Sequence, residues 1–183
     1  MIETIVITLL VTKLRKNNIK AVFKDFAFYP LFFFTLIYVY LEYLTFQGDY
    51  SLTTYNSIYK ILYLSSLIIL IMKFRLLYSS LFGTLCIIIG TWLNQIVVNA
   101  NNGRMPVFPS FSVITGYYKP GMFEKIHNDI HVLGNRDTKF KWLSDIFDTG
   151  YSIMSLGDLI IRLCVFVIFY SAINELNKRE IKV

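Results

Sequence analysis

Charged residues are scarce in this chain: only 16% of its 183 residues are Asp, Glu, Lys or Arg, and 55% are hydrophobic. A soluble globular domain has more charge and less apolar surface, so this composition indicates apolar surroundings. Cysteine is rarer still, with two residues, Cys86 and Cys164. Two cysteines at this spacing match neither a secreted disulfide framework nor a zinc or CxxC motif, so we expect them to be small apolar packing residues.

Recognised functional motifs are also missing. The net charge is +6, but no RNA- or DNA-binding motif accompanies it, and the basic residues cluster beside apolar stretches, as they do where helices meet anionic lipid. We therefore expect no nucleic-acid partner. GxSxG and Walker motifs are absent as well, and we expect neither a metal ion nor a cofactor.

Long apolar stretches dominate what is present. Four of them are each long enough to cross a hydrocarbon core of about 30 Å, at residues 26–46, 52–72, 76–98 and 155–173. A shorter one, residues 1–12, is followed by basic residues rather than preceded by them, unlike a signal peptide. It is either a short, tilted fifth span or an interfacial helix. The predicted fold is all-α: a polytopic membrane helical bundle forming a single membrane domain, residues 1–183, with four transmembrane helices and a short N-terminal fifth.

The distribution of Lys and Arg predicts the orientation of the bundle. Five lie in residues 13–24, two in the corner 73–75 and three in residues 178–182. These segments share one side, which should be cytoplasmic. Residues 100–151 carry six basic residues that five acids nearly balance. We therefore expect a multi-pass protein of the cell membrane with this long loop extracytoplasmic and the C-terminus cytoplasmic.

Polar side chains collect where the spans border the long loop. Asn94 and Asn99 come near the end of the span before it, and Asp158 and Arg162 near the start of the span after it. Asp158 and Arg162 are four residues apart and share a helix face, so they either pair or form a charged cavity wall. The amides either hydrogen-bond across helices or contact a ligand.

The loop opens with a turn that should present an arginine. Asn102 and Gly103 tolerate left-handed backbone, and Pro106 disfavours helix at the residue before it. Arg104 would then project at the membrane surface, where it can bind a phosphate or carboxylate with two parallel hydrogen bonds. The alternatives are a lipid head-group contact or bonds to loop carbonyl groups.

Further along the loop, residues 121–133 have the pattern of a short amphipathic helix with His127 and His131 on its polar face. Histidines and carboxylates in one loop leave a general acid–base pair open. Asp145 is expected to be either a local cap or a group that faces the bundle.

Several of these motifs together resemble a known family. They are the run NANNGRMPV ending at Val107, His131, Thr138, the pattern L-x-D-I-F that contains Asp145, and Gly157-Asp158 at the start of the last span. The chain is similar to the multi-pass membrane proteins with a domain of unknown function that are common in clostridia and other Firmicutes. Those proteins carry an NGGRMPV-like loop and an SIGD-like element. The resemblance implies a bacterial integral membrane fold and no particular reaction.

These observations favour a membrane protein that binds an anionic small molecule, a lipid head group or a peptide partner at the extracytoplasmic mouth of the bundle. The expected ligand-binding residues are Arg104, Asn94, Asn99, Asn102, Asp158, Arg162, His131 and Asp145. The alternatives are a membrane-embedded hydrolase or transferase that uses His131 with a loop carboxylate, or a small oligomeric transporter, so whether the chain is an enzyme stays open. The expected partners are the lipid bilayer, an anionic ligand or lipid, and either further copies of the chain or a membrane partner subunit.

Overall fold

Helices make up most of the computed structural model, which describes residues 1–126 and 130–181. In these residues there are seven α-helices: α1 (Ile2–Leu14), α2 (Tyr29–Gln47), α3 (Asn56–Phe74), α4 (Leu77–Ala100), α5 (Phe111–Thr115), α6 (Met122–Lys125) and α7 (Leu156–Ile181). Short 3-10 helices at Phe26–Phe28 and Thr53–Tyr55 lead into α2 and α3.

Among the described residues, four helical segments are long and apolar enough to cross a membrane: Phe26–Gln47, Thr53–Phe74, Leu77–Ala100 and Leu156–Glu180. They coincide with the four predicted stretches to within a few residues, except that the last helix continues past residue 173. The hydropathy of the sequence therefore predicts the main architecture well. Helix α1, with 13 residues, is shorter than these four.

The long loop contains strands, so the expectation of an all-α fold does not hold there. Strand β1 (Met105–Val107) pairs in parallel with β2 (His131–Leu133), and β3 (Phe147–Asp148) pairs antiparallel with β4 (Ile153–Met154). The predicted amphipathic helix over residues 121–133 is wrong in its second half. Ile126 has extended backbone after α6, and pairing with β1 makes residues 131–133 a strand. His127 lies outside the described residues.

The chain divides into two compact units. The first contains Met1–Val39, Ile58–Cys86 and Arg162–Val183, and the second contains Tyr40–Ser57 and Ile87–Ile161. Their boundaries fall inside α2, α3, α4 and α7, so each unit includes part of all four long helices.

In the first unit, α1 has its polar face inside and its apolar face outside. Thr4, Thr8 and Thr12 are buried, whereas Leu10 and Leu14 are 55% and 82% exposed. The Thr8 and Thr12 hydroxyls donate to the carbonyl oxygens of Thr4 and Thr8, each at 2.7 Å, so little hydrogen-bonding capacity stays unsatisfied. A helix in water buries its apolar face, and this reversed arrangement suits a helix surrounded by lipid.

An ion pair joins α1 to α7 within the same unit. Arg162 Nη1 lies 2.9 Å from Glu3 Oε2, and both side chains are mostly shielded. The core of this unit is aromatic: the Phe28 ring packs against Phe74 and Phe169, with ring centroids 5.7 and 5.8 Å apart. Pairing lowers the cost of placing each charge in apolar surroundings, because neither is left without a counter-charge.

The second unit packs the long loop onto the helix segments that border it. Val97 on α4, Met105 on β1 and Leu143 form a buried apolar cluster, against which Leu93 and Leu156 pack. The loop is therefore folded rather than extended in solvent, and its position relative to α4 is fixed by this core.

Candidate functional site

Arg104 is presented by a tight turn after α4. The φ angles of Asn102 and Gly103 are +56° and +77°, which is left-handed backbone that Asn and Gly tolerate best. These two residues reverse the chain immediately after the helix, as the sequence predicts. Arg104 follows with its side chain exposed, directly before β1.

Asn101 fixes this turn to the far part of the loop. Its side-chain amide donates to the carbonyl oxygens of Val97 and Lys139, at 2.8 and 3.0 Å, and its oxygen accepts from the Lys139 amide at 3.0 Å. Sequence reasoning missed this residue, because the partner lies 38 positions away. The run of Asn residues around the turn was the sequence signal that could have identified Asn101.

His131 and Asp145 lie on either side of β1. Met105 is paired in register with His131 across one edge of the strand, and Val107 is bridged to Asp145 across the other. The two side chains reach towards each other over β1, with His131 Nε2 3.5 Å from Asp145 Oδ2. Asp145 is 3% exposed. The sequence grouped both residues as candidates, and the structure brings them together.

A groove with a volume of about 700 Å³ opens beside this pair. Its lining includes two basic side chains, one acid, two aromatic rings and several apolar residues: Arg104, His131, Glu124, Tyr118, Phe123, Pro120, Gly121, Ile126, Val132 and Leu133. The volume lies within the range of small-molecule sites, which is about 300–1,000 Å³. Arg104 and His131 are the two members of the lining that sequence analysis named as ligand-binding residues.

Aromatic rings line one wall of the groove. The Tyr118 and Phe123 ring centroids are 5.8 Å apart, and the Phe123 and His131 centroids are 6.4 Å apart. Phe123 and Glu124 are adjacent on α6, so the carboxylate and the ring belong to the same short helix. Sequence analysis did not select Glu124 as a site residue, because its neighbours in space come from other segments.

The segment before α6 is bonded to the end of α2. The Tyr117 hydroxyl donates to Glu42 Oε2 at 2.9 Å, and Lys119 Nζ donates to the Phe46 carbonyl oxygen at 3.0 Å. The Phe46 and Tyr117 rings are also in contact, with centroids 6.3 Å apart. One wall of the groove is thus bonded to the end of α2.

Asp158 belongs to a second polar cluster at the start of α7. The Ser155 hydroxyl accepts from the Asp158 backbone amide at 2.9 Å and donates to Asn94 Oδ1 at 2.8 Å. The Asn94 amide in turn donates to Asp158 Oδ1 at 3.4 Å. Ser155 and Asp158 are spaced as in a capping box, with Ser155 at the N-cap. The cluster caps α7 and bonds it to α4.

The other predicted site residues lie elsewhere. Asn99 accepts a hydrogen bond from the Gln95 amide at 2.7 Å on an exposed face of α4, and the Asn102 side chain is exposed at the turn. Arg162 belongs to the first unit and pairs with Glu3 there. Within residues 1–126 and 130–181, no group of three or more His, Cys, Asp or Glu side chains is placed to hold a metal ion.

Asp148 organises the segment that leads into α5, a role that sequence analysis did not assign. Its Oδ2 accepts from the backbone amides of Ser110 and Ser112, at 2.7 and 2.8 Å, and from the Ser112 hydroxyl at 2.7 Å. Its Oδ1 accepts from the Gly150 amide at 2.8 Å. Partial burial raises the pKa of Asp148, but these donors outweigh it and hold the pKa below its ordinary value.

Comparison with known proteins identifies one family. A family described as "Family of unknown function (DUF5317)" matches residues 16–170. The chain belongs to this family. No curated protein and no solved structure matches it.

The matched region of the DUF5317 family includes the turn, the groove and the start of α7, with Arg104, His131, Asp145 and Asp158. It also includes Arg162, whereas Glu3 lies before it. Membership confirms the expectation of a family without an assigned activity, so any function has to be argued from the geometry.

Proposed function

We propose that this chain is a multi-pass protein of a bacterial cell membrane whose long loop, residues 100–151, forms an extracytoplasmic binding site for an anionic ligand. Four apolar helices of spanning length support the membrane part. The exposed apolar side chains on α4, among them Leu85, Ile88 and Trp92, each more than half exposed, support it too, because lipid tails would cover them.

The proposed sidedness follows from charge. The short segments at residues 13–24, 73–75 and 178–182 carry most of the unbalanced Lys and Arg residues, and cytoplasmic segments are enriched in these residues. The C-terminus would then be cytoplasmic and the loop on the opposite side.

The observation that carries the binding proposal is the presence of Arg104 and His131 in one groove. The exposed guanidinium of Arg104 can donate two parallel hydrogen bonds to a phosphate or carboxylate. His131 adds a second donor, and the buried Asp145 carboxylate at 3.5 Å orients its ring. The ligand would be an anionic small molecule, a lipid head group or a peptide, and its acidic group would bind at this end of the groove.

The test measures binding of inorganic phosphate and glycerol 3-phosphate to the purified protein in detergent by titration calorimetry. A hydrogen-bonded charge contributes about 1.5–3 kcal/mol, so Arg104→Ala should weaken binding by about tenfold or more. Arg136→Ala is the matched control, because Arg136 is an exposed cation of the same loop outside the groove lining. Equal losses in the two variants, or no binding by the unmodified protein, would remove the groove as the anion site.

A hydrolase or transferase acting on a lipid-linked substrate is the second candidate, and the His131–Asp145 contact favours it. A carboxylate that orients an imidazole is a common arrangement for a general base, and the ring also borders the groove. In this scheme His131 would take a proton from the attacking hydroxyl or water while Asp145 holds the ring in position.

This second candidate predicts turnover of p-nitrophenyl phosphate or p-nitrophenyl butyrate that depends on both residues. His131→Ala and Asp145→Asn should each lower kcat by about a hundredfold or more, while Arg136→Ala leaves it unchanged. If the unmodified protein and His131→Ala release p-nitrophenol at the same rate, the catalytic interpretation is wrong and binding alone is left.

A further inference from the structure

The groove is lined by side chains of both charge signs, and this limits the class of ligand that it can bind. We propose that it binds the zwitterionic head group of a phospholipid, with the phosphate at Arg104 and His131 and the ammonium group at Glu124 and the neighbouring rings. This inference deepens the proposed function and rests on it. A purely anionic ligand would gain nothing from the Glu124 carboxylate, whereas a ligand with an amine would use it.

The part of the groove proposed to bind the ammonium group consists of one carboxylate and two aromatic rings. Glu124 is exposed on α6 and lines the groove together with Tyr118 and Phe123, whose ring centroids are 5.8 Å apart. A carboxylate and the faces of aromatic rings both attract an ammonium group, and such surroundings recognise amines and quaternary ammonium ligands. The structure thus offers an amine site beside the phosphate site.

The two side chains proposed to bind the phosphate are positioned by strand pairing. Arg104 immediately precedes β1, and the amide of the next residue, Met105, donates to the Ile130 carbonyl oxygen at 2.8 Å. This bond places Arg104 next to the start of β2, where His131 lies. One donor therefore immediately precedes β1 and the other begins β2, and the pairing of these two strands holds them more rigidly than a free loop would.

Exposed apolar side chains lie beside His131 at the groove. Val132 and Leu133 on β2 line the groove and are 41% and 52% exposed. Ile130, just before β2, is 48% exposed. These side chains suit the glycerol and the first methylene groups of a lipid better than the hydration shell of a soluble metabolite. The bonds from Tyr117 and Lys119 to the end of α2 keep the wall next to a span, where head groups would lie.

The experiment compares ligands that differ in one group at a time. Purified full-length protein in detergent is titrated with dihexanoyl phosphatidylethanolamine, dihexanoyl phosphatidic acid, soluble phosphoethanolamine and inorganic phosphate. We expect the ethanolamine lipid to bind about tenfold more tightly than phosphatidic acid and than soluble phosphoethanolamine, which is the effect of one well-placed polar or apolar contact.

Two variants test the contacts to the ammonium group and to the phosphate separately. Glu124→Gln should remove the preference for the ethanolamine lipid and leave phosphatidic acid binding unchanged, whereas Arg104→Ala should weaken both lipids. Asp137→Asn is the matched control for Glu124→Gln, because Asp137 is an exposed acid of the same loop outside the groove lining. Size-exclusion profiles check that each variant is folded.

The outcomes are distinguishable. If Arg104→Ala weakens phosphatidic acid binding but Glu124→Gln has no effect on either lipid, the zwitterionic inference fails and the anion site stands. If soluble phosphoethanolamine binds as tightly as the lipid, the ligand is a soluble amine phosphate and the lipid part is wrong. If none of the four ligands binds, both the inference and the anion site fail.

Discussion

Asp148 is a single carboxylate that holds two segments of the loop together. It accepts hydrogen bonds from Ser110, Ser112 and Gly150, so the start of α5 and the turn between β3 and β4 share one acceptor. Short elements of two to five residues have little stability of their own. A charged acceptor that bonds to several of them at once therefore contributes more than its position in an exposed loop suggests.

Replacing Asp148 with Asn should destabilise the protein by about 2 kcal/mol at neutral pH, because the charge-assisted bonds are lost. The lowered pKa gives the sign of the pH dependence. The stabilisation is fully present above the ordinary Asp value of 3.8 and is lost as the pH falls through the lower pKa of the folded state.

Thermal unfolding of the detergent-solubilised protein at pH 7 and pH 3 measures this effect. The gap in melting temperature between the unmodified protein and Asp148→Asn should be smaller at pH 3. Asp137→Asn, at an exposed acid of the same loop, should unfold with the unmodified protein at both values. A gap that widened at low pH would contradict the assignment.

Among the elements, α4 and α7 approach closely in the second unit because both have glycine at the contact. A Cβ atom on Gly90 would overlap the Gly157 carbonyl oxygen, and one on Gly157 would overlap the side-chain oxygen of Asn94. Small residues at such contacts let helix backbones pack tightly, which is a main source of helix association in lipid. The same contact brings Asn94 within reach of Ser155 and Asp158.

Gly90→Ala and Gly157→Ala should therefore each lower the free energy of unfolding by about 3 kcal/mol, since the overlap is with backbone or with a bonded amide. Thr91→Ala, at the exposed residue next to Gly90 on α4, is the control and should change it little. Thermal unfolding in detergent provides the measurement. If both glycine variants matched the control, the close packing of the two helices would be incorrect.

The elements also show how far the sequence predicts the structure. The spans follow from composition and length alone, and the turn before Arg104 follows from Asn102, Gly103 and Pro106. The three-residue strands do not, because β1 and β2 are held by partners 26 positions apart, with Met105 paired to His131. No local pattern encodes such a pairing. For the same reason the sequence could propose His131 with a loop carboxylate but could not single out Asp145 as that carboxylate, nor add Glu124 to the groove.

For the whole molecule, the sequence concentrates Lys and Arg in three short segments, all predicted to lie on one side of the membrane. This asymmetry is the basis of the proposed orientation. Cysteine labelling can test this orientation, because the native Cys86 and Cys164 are 5% and 1% exposed and should not react with a bulky reagent. Only a cysteine introduced at an exposed position should then be labelled.

Arg136→Cys in the loop and Lys178→Cys in the tail place single reactive thiols at exposed positions. A membrane-impermeant maleimide added to intact cells should label Arg136→Cys, and it should label Lys178→Cys only after the membrane is permeabilised. The unmodified protein, which should stay unlabelled, is the control. The opposite labelling pattern would invert the orientation and place the groove in the cytoplasm.

The Glu3–Arg162 pair links α1 to α7, which is synthesised much later. Until α7 is inserted, the Glu3 carboxylate lacks its arginine, and an arginine in apolar surroundings is costly without a counter-charge. Assembly would then be cooperative between α1 and α7: α1 would stay loosely held during biosynthesis and would become fixed only when α7 is in place.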